Sequence, residues 1–141
     1  MDSRIANKAF TLVEILIVVV ILGILAAIVV PQYSNATDDA KTQATISQLV
    51  KLRQAMNVYY FRNNAVFPNV AAGNGTWGEL LSDGYFKYAP ANLHVAGDKG
   101  SDIKIGTGPD TAKTDAYGWI FNPATGEVWA ASFDGSDKPL P

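Results

Sequence analysis

Between Phe10 and Val30 the sequence carries a single charge, Glu14. An ionisable group inside an apolar segment needs a partner or a route to the interface, so Glu14 is the first residue at which to look for function. Near the end of such a segment, its side chain could equally snorkel to the headgroups without a partner. Other chemistry is sparse. His94 is the only histidine and there is no cysteine, which removes thiolate nucleophiles, zinc-thiolate sites and disulfides, and no Ser-His-Asp order stands out. The letters of a dinucleotide fingerprint occur at Gly73, Gly75 and Gly78. That motif needs a preceding buried strand and a βαβ unit, so the match reads as accidental. No P-loop is present. Asp98, Asp102, Asp110, Asp115, Asp134 and Asp137 lie in polar C-terminal segments, and calcium favours clustered carboxylates. Asp134 and Asp137, in "FDGSD", are the first candidates for a calcium site, although a solvated acidic loop explains them without metal and no EF-hand spacing occurs.

The element that must position Glu14 is the apolar run itself. A helix over Phe10–Val30 rises ~32 Å, enough for a ~30 Å hydrocarbon core. Arg4 and Lys8 precede it, whereas the first charges after it are Asp38 and Asp39. The positive-inside bias therefore places the N-terminus in the cytoplasm and the C-terminus outside. A cleaved secretory signal is the competing reading, but bulky Val29 and Val30 stand where small residues are wanted; an ordinary signal anchor also fits. The 141 residues leave one small extracytoplasmic domain, which must fold by packing alone. A net charge of −2, a pI near 5.2 and dispersed lysines give no basic face for nucleic acid, so none is expected as a partner.

Lys8-Ala9-Phe10-Thr11-Leu12-Val13-Glu14 followed by the apolar run resembles the leader-peptidase site of type IV pilins and type II secretion pseudopilins. The resemblance implies cleavage by a prepilin peptidase between Ala9 and Phe10 and N-methylation of Phe10. It also implies an assembly role for Glu14, one helical turn from Phe10 and so within reach of that residue's freed amine or a neighbouring subunit's, and helix-perturbing roles for Gly23 and Pro31. The residue before the cut is usually Gly in that family and is Ala9 here. Major pseudopilins often hold calcium in a C-terminal loop, but their ligands do not align residue by residue with this chain. Assembly would draw on a platform and an ATPase supplied by other proteins, and the product would be a helical homo-oligomer.

Beyond Pro31, Ile46, Leu49, Leu52, Met56 and Tyr59 recur at spacings of three and four, an apolar helix stripe that covers a core. Pro31 removes a backbone donor and should bend the helix. Asn63-Asn64 and Pro68 end it, and "NVAAGNGTWG" reads as a loop. Thr76 and Glu79 form a capping-box pattern for a short helix that stops near Gly84. "YGWIFNPATGEVWAASF" alternates aromatic and β-branched residues around Asn122–Gly126, a hairpin signal. Trp119, Phe121, Trp129 and Phe133 could form a ligand face, but sheet residues packing on a helix are the commoner explanation.

The expected fold is α+β: a long N-terminal helix, membrane-spanning in its first half, packed on a small C-terminal antiparallel sheet. Its parts are a leader at 1–9, an assembly helix at 10–30, an amphipathic helix at 31–64 and a head at 65–141. The expected function is that of a structural subunit and not an enzyme. It begins as a precursor in the cytoplasmic membrane and ends in a periplasmic or surface fibre. A type II secretion pseudopilus is favoured, because type IV pilins commonly close a loop with a disulfide. A type IV pilus subunit, an anchored binding module and a small anchored enzyme are the alternatives.

Overall fold

The computed structural model describes residues 10–95 and 97–141, and these divide into two compact units on either side of the step from Thr37 to Asp38. The leader positions 1–9, Ala9 among them, lie outside the described residues. Helix α1 runs over Leu12–Arg62, 51 residues, and its assignment continues through both Gly23 and Pro31, so neither residue ends it. In the first unit, the side chains of Leu12–Val30 are exposed on every side of the helix. An all-round apolar helix needs a membrane or other helices around it, and this one is long and apolar enough to cross a bilayer.

The second unit begins with Asp38 and is organised by the remainder of α1. Leu49, Leu52, Met56 and Tyr59 are buried, with Ile46 packed at the margin, as the three-four spacing requires. The helix ends at Arg62. Asn63 returns its side-chain amide to the Tyr59 carbonyl at 3.0 Å, and Asn64 takes φ 52°, a left-handed conformation that asparagine tolerates at helix ends.

Strands β1 (Ile103–Ile105), β2 (Trp119–Phe121) and β3 (Val128–Ala130) form one sheet in the order β1-β2-β3. β2 and β3 are the expected hairpin, antiparallel with Trp119 opposite Ala130 and Phe121 opposite Val128. Its turn is closed by Gly126 at φ 72°, whose N–H donates to the Asn122 carbonyl at 2.8 Å. The sheet as a whole is mixed rather than antiparallel: β1 runs parallel to β2, pairing Ile103 with Trp119 and Ile105 with Phe121. Period-two alternation aims Trp119 and Phe121 at one face, where both meet Trp77 edge to face at centroid distances of 6.4 and 6.1 Å. Ile120 is buried too, on the other face, where the chain following β1 crosses it at Gly106.

The short helix α2 (Glu79–Ser82) forms as expected and is followed by Gly84 at φ 77°, but its cap differs from the expected box. Gly78 is the N-cap and makes no side-chain capping bond. Its φ is 50°, and a β-carbon there would sit 2.0 Å from the Asn69 carbonyl oxygen, so only glycine fits. Thr76 lies outside the helix, and the Glu79 carboxylate accepts instead from the Tyr59 hydroxyl at 2.5 Å and the Asn69 N–H at 3.0 Å. The bond to Glu79, aided by burial, pushes the Tyr59 phenol up to about 12. Those same donors, Tyr59 first, hold the Glu79 carboxyl below the usual carboxylate range. A link between α1 and the loop thus prevails over a local cap.

Candidate assembly site at the start of the first helix

α1 starts with a reciprocal cap. The Thr11 N–H and hydroxyl both donate to Glu14 Oε2, at 2.8 and 2.9 Å, and the Glu14 N–H donates to Thr11 Oγ1 at 3.2 Å. The Thr11 carbonyl accepts the first helical bond from Ile15. This is a capping box, which satisfies orphan donors at both ends of the Thr-x-x-Glu step. Glu14 is therefore not bare: two donors from Thr11 saturate Oε2, and among the described residues none bonds the other oxygen. Phe10, just ahead of the cap, is 80% exposed. Thr11 is the partner of Glu14 that the sequence reading passes over, although threonine three residues before glutamate is itself the signal for a helix start. Gly23 lies further along α1, where a β-carbon would meet nothing within 4 Å.

The other chemical candidates are held by structural partners. His94 lies against Thr42, Nε2 to Oγ1 at 2.8 Å. The Thr42 hydroxyl donates its proton to the Asp38 carbonyl, so it accepts from His94. Burial, reinforced by Lys41 and Lys113 and opposed by Asp38, lowers the His94 pKa. The imidazole also meets Phe133 edge-on at 5.0 Å.

Asp137 is gripped by Arg53, with Nη1 to Oδ2 at 2.5 Å and Nη2 to Oδ1 at 2.9 Å. Asp134 Oδ1 accepts the N–H groups of Ser136 and Lys138, and those bonds, Lys138 first, lower its pKa. Asp102 pairs with Lys99 at 2.9 Å. Asp110 accepts from the Tyr117 hydroxyl and the Ser132 N–H. Among the described residues no group of three or more His, Cys, Asp or Glu is placed to hold a metal. With both Asp137 oxygens on Arg53, the Asp134–Asp137 pair does not fit a calcium cage.

The glycines at 73–78 follow no strand among the described residues, so the cofactor fingerprint has no structural context. Of the four hairpin aromatics, Trp119, Phe121 and Phe133 are buried in the core. Trp129 is half-buried and lines a shallow concavity beside Arg53.

The family described as "Prokaryotic N-terminal methylation motif" matches residues 4–30, the stretch that contains the cap and the exposed apolar helix. The chain is 39% identical over 72 residues to the type II secretion system core protein G of Pectobacterium carotovorum subsp. carotovorum, covering 51% of this chain and 46% of that relative. It is 35% identical over 100 residues to the protein of that name from Pseudomonas aeruginosa, covering 64% and 70%. With the one from Escherichia coli K12 it shares 30% identity over 121 residues, covering 74% and 83%. The chain spans about half the length of the Pectobacterium relative and of the proteins of that name from Klebsiella michiganensis and Aeromonas hydrophila. No solved structure matches it. The motif at the head of α1, together with likeness over most of the Escherichia coli relative, places the chain in the type II secretion system core protein G family.

Proposed function

We propose that this chain is a pseudopilin, a structural subunit rather than an enzyme. It is made as a single-pass precursor in the cytoplasmic membrane with its C-terminus outside, cut between Ala9 and Phe10, methylated at Phe10, and polymerised into the pseudopilus of a type II secretion system. The observation that carries this reading is the coincidence at one place of the methylation motif, residues 4–30, and the start of a helix whose apolar side chains are exposed from Leu12 to Val30.

In the precursor, Glu14 is engaged by Thr11. After cleavage Phe10 carries a free amine one helical turn from Glu14, so its own amine or that of a staggered neighbour becomes available to the carboxylate. A carboxylate in a low-dielectric helix bundle is penalised when unpaired, so the register that supplies the amine is selected. A prepilin peptidase, an assembly platform and an ATPase are the further partners of this reading.

Mass spectrometry of the mature N-terminus tests it in cells that contain a prepilin peptidase. The expected product begins at Phe10 and carries one added methyl group. An intact Met1 leader, or a cut after Val30, overturns it.

A further inference from the structure

The head carries two recesses on opposite flanks of α1. Lys51 and Arg53 are two residues apart and so about 200° apart around the helix, with the buried Leu49–Leu52–Met56 stripe between them. On the Lys51 flank, two adjoining concavities of about 360 and 400 Å³ share Lys51 and Phe86 and lie against the segment that carries Lys87 and Tyr88. No acidic residue lines either one. Tyr88 is 73% exposed, and the Lys87 ammonium lies over its ring, 5.2 Å from the centroid. On the Arg53 flank, a concavity of about 370 Å³ is lined by Trp129 and Glu127 from the hairpin. Arg53 is neutralised there by Asp137, which leaves the exposed Glu127, whose carboxylate accepts from the Thr125 hydroxyl, as the charge among the lining residues that faces out.

One flank is therefore cationic with a projecting aromatic residue, and the other is anionic with a recessed one. We propose that the Lys87–Tyr88 flank of one copy docks on the Glu127–Trp129 flank of the next copy. Lys87 then meets Glu127, and Tyr88 packs against the Trp129 recess. Like flanks repel, so an isologous pair is disfavoured. A contact between two different patches of the same chain propagates as an open helical array instead of closing as a dimer. Complementary charge also fixes which neighbours are accepted. This rests on the reading of the chain as a fibre subunit and names the head contact within that fibre.

The test uses the full chain in cells with its assembly machinery. Lys87→Glu and Glu127→Lys should each lower fibre yield about tenfold, because each sets like charges face to face, and the double reversal should restore it. The chain has no cysteine, so Tyr88→Cys combined with Thr125→Cys, both exposed positions, should give a ladder of disulfide-linked multimers on oxidation. Wild-type fibre yield from both single reversals overturns the docking proposal, as do double-cysteine fibres without cross-links. A wild-type chain that forms no fibre overturns the assembly reading itself, and the docking contact with it.

Discussion

Arg53 holds Asp137 through two parallel hydrogen bonds, Nη1 to Oδ2 at 2.5 Å and Nη2 to Oδ1 at 2.9 Å, while its Nε donates to the Val128 carbonyl at 3.1 Å. One guanidinium on α1 thus fastens both the edge of the hairpin and the C-terminal loop, 84 residues away along the chain. The fork geometry is specific to arginine. Arg53→Ala and Asp137→Ala should each destabilise the head by about 1–3 kcal/mol, and the double variant should lose less than the sum. Arg53→Lys should recover little. Thermal unfolding of the full chain in detergent measures all four.

The same pair sets the expectation for calcium. Because Asp137 has both oxygens on Arg53, adding calcium or a chelator should leave the unfolding temperature of the wild-type chain unchanged. A ligand that binds only the native state would raise it. A calcium-dependent rise would mean that the loop rearranges to release Asp137.

Glu14→Ala removes the only charge between Phe10 and Val30, so membrane insertion should stay intact or improve while fibre yield falls. Glu14→Gln keeps the shape and can still accept from Thr11, yet it lacks the charge that attracts an amine, so its fibre yield should fall as well. Precursor level, membrane fractionation and sheared-fibre yield report the two effects separately. Normal fibres from both variants at normal precursor level would remove the amine pairing.

His94 should make the head sensitive to acid. Its folded pKa is depressed, chiefly by burial and also by Lys41 and Lys113, so below about 6.5 the unfolded chain binds a proton that the folded head resists. Stability then falls as the pH drops through that value and levels off only below the depressed folded pKa. His94→Gln should flatten the change in unfolding temperature between pH 7 and 5. An unchanged profile would show that other groups carry it.

Local patterns account for much of the fold and for part of the site. The apolar run, the Ile46–Tyr59 stripe, the stop at Asn63-Asn64 and the hairpin at Asn122–Gly126 are all legible from the order of residues, because helix and strand periods and turn chemistry act over a few positions. The Thr11–Glu14 cap is legible on the same ground, being contained in four consecutive residues.

What only the tertiary structure decided are the pairings between distant segments: β1 laid parallel to β2, Trp77 set against Trp119 and Phe121, Glu79 drawn from its expected cap to Tyr59, and Asp137 claimed by Arg53 rather than left open in an acidic loop. No sequence period encodes such choices. Each depends on which groups meet once several elements bury their apolar faces against one helix, and a buried or half-buried polar group then takes the partner packing brings to it, even when a local one was available.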